Sequence, residues 1–198
     1  SRGAWLVGVP ASLLFVAAMR GRRALALAVA ALLVMAGGLL LAVGPGRLVS
    51  LLDTSEGTTF FRLQLWQSSL SMLGDHPLLG VGPDNFLYAY RSRYVLPTAW
   101  EEFNLSHPHN FVLDFWLRLG LPGLLIALGL LAGFFRRGWR LYRRGGALSL
   151  LALGLMGGMV NFAAHGLVDN AFFLVDMAFV FMMMLALVQS ERDREARR

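Results

Sequence analysis

Apolar residues in this chain gather into five stretches, at Ala4–Met19, Ala24–Val43, Leu119–Phe135, Ala147–Ala164 and Ala171–Val188. Each is near the ~20 residues that a helix needs to cross ~30 Å of hydrocarbon. The first is short and holds Pro10, which membrane helices tolerate more readily than soluble ones. The pattern predicts an all-α protein, a polytopic bundle of transmembrane helices.

Arginine placement orients the spans. Arg20, Arg22 and Arg23 separate the first two stretches. Arg136, Arg137, Arg140, Arg143 and Arg144 separate the third and fourth, and Arg192, Arg194, Arg197 and Arg198 follow the fifth. If all five stretches cross, these clusters share one face, and the positive-inside rule makes that face cytoplasmic. The expected organisation is then two transmembrane helices over 1–43, a long extracytoplasmic loop over 44–110, three transmembrane helices over 111–190 and a basic cytoplasmic tail over 191–198. Arg2, the long loop and the short connection HGLVDN (His165 to Asn170) fall on the outer face.

Within the loop, TTFFRLQLWQSSLSMLG predicts an amphipathic helix. Thr58 or Thr59 would cap it and Gly74 would stop it. Phe60, Leu63, Leu70 and Leu73 are expected on its apolar side. Arg62, Trp66 and Ser69 make a second stripe at helical spacing. DHPLLGVGPDNF then reads as a turn-rich link. Asp84 could cap a second helix carrying Tyr88, Arg91 and Tyr94.

Composition agrees with the membrane reading and narrows the partners. The 198 residues are 57% hydrophobic, with mean hydropathy +0.59, too apolar for an ordinary soluble domain. The net charge is +6 and every basic residue is Arg. Because those arginines sit in short runs between apolar segments, they point to membrane topology and away from nucleic acid. Cysteine is absent, which leaves no thiolate metal site. No signal peptide is visible, and the chain opens without Met directly before an apolar segment. It reads as a fragment of a longer membrane protein.

Charge beside a membrane-length apolar run is expensive and is usually kept for a reason. HPHNFVLDFWLRLGLPG, residues 107 to 123, has this character. His109 sits at the outer boundary, where it could cap a helix at headgroup level or act as a general base. Free histidine titrates near ~6.5, so at neutral pH it can take a proton from a hydroxyl. Asp114 and Arg118 lie four residues apart, acid first, the favourable order for a helical ion pair, and read as structural. Gly120, Pro122 and Gly123 allow close packing or a kink. Arg2 and Arg62 could be snorkelling anchors. Alternatively, as guanidinium forks on the face that the positive-inside rule disfavours for Arg, they could grip a diphosphate. Asp169 could cap the last span, or orient a substrate or His109. His76, His107, His109 and His165 match no strong metal-ligand spacing, so no metal or other cofactor is expected.

These residues resemble the C-terminal half of the O-antigen ligase and polymerase family of bacterial membrane glycosyltransferases. The family motif H-[NSQ]-x9-G-x-x-[GTY] matches His109-Asn110, nine residues, then Gly120-Leu121-Pro122-Gly123. A second motif, R-x3-L, matches Arg2 to Leu6. GVGPDNF (Gly80 to Phe86) resembles the turn after the family's loop helix, Arg62 falls where a second functional Arg is expected, and HGLVDN resembles the short outer loop before the last spans. On this resemblance, the family's N-terminal transmembrane half would precede Ser1.

The resemblance implies a metal-independent enzyme of the bacterial cytoplasmic (inner) membrane, with its active site on the periplasmic face. The donor would be an undecaprenyl-diphosphate-linked glycan and the acceptor a hydroxyl of lipid A-core or a similar glycan. His109 would activate that hydroxyl while Arg2 and Arg62 hold the leaving diphosphate. Asn110, Asp169, Arg91 and Arg93 are the candidates for supporting roles. Membrane lipids and the missing N-terminal half are the further partners. A polymerase that lengthens a lipid-linked chain is the alternative within the family. A non-catalytic subunit for polysaccharide transport or assembly is the alternative outside it. Transporters usually place ionisable groups near the midplane; here the spans are nearly free of charge, Asp176 excepted.

Overall fold

The structure, a computed structural model, describes residues 3–44, 46, 57–169 and 172–195. Among these, every regular element is helical. A π-helical turn, Ala4–Gly8, leads into α1, Val9–Arg20; α2 is Arg22–Val43 and α3 Gly57–Asp75. A short α4, Phe86–Ala89, runs into a π-helical turn, Tyr90–Tyr94, and then a 3₁₀ helix, Pro97–Glu102. The chain finishes with α5, Phe111–Arg143, α6, Gly146–Gly166, and α7, Val175–Glu195.

The five apolar stretches all appear as helices. α2, α5 and α6 are long and apolar enough to cross a membrane, while Ala4–Arg20 and Val175–Gln189 are shorter apolar helices. α2 is apolar around its circumference, and none of its most apolar window is buried within the protein, the character of a helix solvated by lipid. Pro10 lies in the first turn of α1, directly after the π-helical turn, and membrane helices tolerate the missing N–H. Asp176, which the sequence places some way into the last span, lies in the first turn of α7 and is exposed. Its Oδ1 accepts from the Met177 N–H at 3.0 Å.

The chain divides into two compact units. The first comprises Ser1–Val29 and Ala127–Arg198. Here α1 and the turn before it pack on α6 through small residues. Gly8 abuts Asn161, and a Cβ on Gly157 would meet the Val16 Cγ2 at 2.7 Å. Ser12 Oγ–H donates to the Gly157 carbonyl at 2.8 Å, and the Tyr142 hydroxyl donates to the Met19 carbonyl at 2.7 Å. Phe162, Phe172 and Phe181 form a ring cluster with centroids 4.6 to 5.9 Å apart. Small residues that let backbones approach are the usual means of packing helices in lipid.

The second unit is Ala30–Ile126. Its core is Leu65, Met72 and Leu73 from α3, Phe86 and Tyr90 from the α4 region, and Leu117 from α5. The loop helix expected from the sequence is present, but its buried face differs. Leu63 and Leu70 are 42% and 60% exposed, whereas Ser68 and Ser69 are fully buried. Apolar residues occur almost all round α3, so their spacing did not single out a face. The face that packs is the one whose small serines permit a close approach, Ser69 returning its hydroxyl to the Leu65 carbonyl at 2.7 Å.

Asp84 also departs from expectation. It does not cap α4, whose preceding residue, Asn85, makes no side-chain cap either. Asp84 sits at φ +57, and its carboxylate takes a hydrogen bond from the Arg118 guanidinium instead.

Candidate functional site

His109 lies in the turn that leads into α5, at φ +50, a left-handed conformation uncommon for a non-glycine residue. It is fixed from both sides. On one side, the buried Pro108 offers its carbonyl to the Trp66 indole N–H of α3 at 2.9 Å. On the other, Asn110 is the N-cap of α5, its Oδ1 accepting from the backbone N–H of Val112 at 3.0 Å and Leu113 at 3.2 Å. The His107 and His109 rings meet edge to face, 4.3 Å between centroids. The imidazole is half-buried.

Arg62 approaches from α3. It lines a cleft of about 310 Å³ together with His109, Thr58, Leu65, Leu105 and Glu102, near the small end of the ~300–1,000 Å³ typical of ligand sites. Its Nε is buried and bonds to nothing among the described residues. A buried guanidinium N–H without an acceptor is costly. Arg62 and Trp66, the stripe expected along α3, thus serve one site: the first lines it and the second anchors the histidine turn. Ser69 of that stripe is buried in the core.

The helix that follows His109 is built into the loop by its irregularities. Gly120 sits at φ 70, ψ −177, which breaks the helical run inside α5; this is the kink that Gly120 and Pro122 allow. In an unbroken helix, the Leu121 N–H would donate to the Leu117 carbonyl. Here it donates to the Leu78 carbonyl at 2.9 Å, and the Leu117 carbonyl accepts from Val81 at 2.8 Å and Gly82 at 3.1 Å. The Trp116 indole donates to the Pro77 carbonyl at 2.7 Å. The turn and the broken helix therefore exchange backbone bonds. Both glycines at this contact are required. A Cβ on Gly80, at φ +65, would strike the Trp116 and Leu117 carbonyls, and one on Gly120 would strike the backbone of Leu78 and Leu79.

Asp114 and Arg118 bolt the same junction. Asp114 is 2% exposed and accepts from the Arg118 Nε at 2.7 Å. The Arg118 Nη1 reaches Asp84 in the GVGPDNF turn. The pair is structural, as its spacing indicated, and Asp84 makes it a three-residue link between loop and helix.

The remaining candidates are placed differently. Arg2 lies outside the described residues. Arg91 and Arg93 are exposed on the π-helical turn and do not line the cleft; the Arg91 guanidinium stands 5.1 Å over the Phe103 ring. Asp169 belongs to the first unit, 3.4 Å from His165 Nε2. It does not cap α7, because that helix begins only at Val175. Among the described residues, no three His, Cys, Asp or Glu side chains gather as metal donors would.

Glu102 is the cleft residue that sequence reasoning missed. It stands at the end of a 3₁₀ helix with no motif around it, and only the packing of that helix near α3 brings it to the cleft. The buried Tyr90 phenol registers it: its pKa is raised first by burial and then by the Glu102 charge.

A family model described as O-antigen ligase matches residues 1–128. The chain belongs to the O-antigen ligase family. It is 30% identical over 169 residues to the O-antigen ligase of Pseudomonas aeruginosa, an alignment covering 85% of this chain. The chain spans 37% of that relative's length.

Proposed function

We propose that this chain carries part of the active site of a membrane glycosyltransferase that moves a glycan from a polyprenyl diphosphate to an acceptor hydroxyl. The observation that supports this most directly is the cleft that joins Arg62 to His109. His109 takes the proton of the acceptor hydroxyl as that oxygen attacks the anomeric carbon of the donor sugar. The bond from that carbon to the diphosphate oxygen breaks with its electron pair going to that oxygen, so polyprenyl diphosphate departs with one more negative charge than it carried in the donor, balanced by the proton on His109. Arg62, which lines the same cleft, offers its guanidinium to this diphosphate and stabilises it as it leaves. Arg2 is proposed as its second ligand, on the motif alone.

A single displacement of this kind inverts the anomeric configuration. The proposed setting is the bacterial inner membrane with the cleft open to the periplasm, undecaprenyl diphosphate as carrier and lipid A-core as acceptor. Family membership and the two names it comes with favour a ligase over a polymerase.

The test is transfer in proteoliposomes by the whole membrane protein, with lipid-linked oligosaccharide as donor, lipid A-core as acceptor and products resolved by mass. Glycan should appear on lipid A-core with wild type and be lost with His109→Ala. Arg62→Lys should reduce the rate about tenfold or more, because a point charge does not reproduce the guanidinium fork. Lengthened glycan on the polyprenyl carrier would establish a polymerase instead. Normal transfer by the His109 variant would remove this histidine from the mechanism. A correctly inserted wild type that transfers nothing would favour a non-catalytic role.

A further inference from the structure

We propose that a second cleft, next to the one holding His109, is a saccharide subsite with Trp100 as its stacking platform. This rests on the glycan-transfer reading above and adds where a sugar ring sits. The cleft has a volume of about 420 Å³. Phe60 and Phe61 of α3 wall one side, and Thr98, Trp100 and Glu101 of the 3₁₀ helix wall the other. It shares Gly57 and Phe61 with the His109 cleft, so a chain of sugar residues could lie in both.

The chemistry of the walls selects the ligand class. Trp100 is 60% exposed, a large apolar area left open on a residue that is usually well buried. Its ring is nonetheless held in place, stacked on Phe103 with centroids 5.8 Å apart and planes 16° from parallel. A fixed, open indole presents the negative face of its π-system, and the C–H face of a pyranose carries the complementary partial positive charge. Glu101 and Thr98 supply a carboxylate and a hydroxyl, which together accept from and donate to sugar hydroxyls. The same carboxylate argues against an isoprenoid tail as occupant, since hydrocarbon would strip its water and offer nothing in return. A Trp that merely anchors the chain at the membrane interface would need neither polar group.

The experiment measures transfer in proteoliposomes with donor and acceptor varied separately, for wild type, Trp100→Ala and Trp100→Phe. It is paired with saturation-transfer NMR on the protein in nanodiscs. The NMR probes are the oligosaccharide released by mild acid from the lipid-linked donor and the core oligosaccharide released from lipid A. Trp100→Ala is expected to raise KM for one substrate about tenfold, the scale of one lost aromatic contact, with kcat nearly unchanged. Trp100→Phe should keep most of the affinity. The substrate whose KM moves identifies the source of the sugar. In the NMR arm, that oligosaccharide should bind wild type and His109→Ala alike, and Trp100→Ala about tenfold more weakly. Unchanged KM for both substrates, or binding by Trp100→Ala as tight as by wild type, would overturn the subsite. If wild type transfers nothing yet binds a probe through Trp100, the transfer reading fails and the subsite stands. If wild type binds neither probe, the subsite falls whatever the activity.

Discussion

The loop-and-helix unit around His109 and the helical unit of α1, α6 and α7 hold together by different means. Around His109, polar groups carry the structure. Backbone bonds are exchanged between the turn at Leu78–Gly82 and the break at Gly120, an indole reaches a buried proline carbonyl, and Arg118 links two carboxylates. In the helical unit, the helices keep their own backbone bonds, small residues and rings fill the contacts, and the polar ties between helices are the Ser12 and Tyr142 hydroxyls donating to carbonyls. The difference follows from backbone accounting. An unbroken helix has no mid-span polar group to place. A kinked helix and an irregular loop release N–H and C=O groups that must find partners, and those partners then fix geometry tightly enough to aim a side chain such as His109.

Substitutions at glycines and polar anchors should separate the two regions. The largest effect is expected at Gly120→Val. Its backbone conformation is essentially restricted to glycine, and the new side chain would enter the Leu78–Leu79 backbone. Together these cost about 3–5 kcal/mol, to be read as a large drop in thermal stability in detergent. Gly129→Ala, in the same helix with open space around it, should be close to neutral. Equal behaviour of the two would mean that the backbone exchange does not hold the loop.

Trp66→Phe comes next. It keeps the ring but strands the Pro108 carbonyl, for about 1–2 kcal/mol of stability. The transfer rate should fall further than that loss of folded protein explains, because the turn carrying His109 loses its anchor. A rate that tracks stability alone would make Trp66 a packing residue and nothing more.

A loss comparable to that of Trp66→Phe is expected from Gly157→Ala in the helical unit. The added methyl would stand 2.7 Å from the Val16 Cγ2, on a β-branched side chain held to one rotamer in a helix, so about 1–3 kcal/mol should be lost. A loss rivalling that of Gly120→Val would show the helical unit to be as tightly specified as the loop.

Much of this was legible in the chain. The apolar stretches became helices, because hydropathy over ~20 residues is a strong signal. Asp114 and Arg118 met as their spacing required, and Gly120 broke its helix. The motif spacing from His109-Asn110 to Gly120 now has a physical reading: it is the length of helix between the Asn110 cap and the break. What was not legible depended on neighbours distant in sequence. Which face of α3 is buried was decided by what packs on it, and Leu63 and Leu70 consequently lie outside. Asp84 turned to Arg118 because the Gly80 turn docks on α5. Glu102 and Trp100 had no periodicity or motif to mark them.

The sequence by itself determined the helical membrane architecture and the arginine-rich segments between the apolar stretches, because each rests on local chemistry: hydropathy and charge. Only the tertiary structure decided that Arg62 and His109 share a cleft, that Trp66 holds the histidine turn and that Gly80 and Gly120 lock the loop to the helix. Those contacts join residues far apart in the chain, and they form only where backbone groups released by one irregular segment meet those released by another.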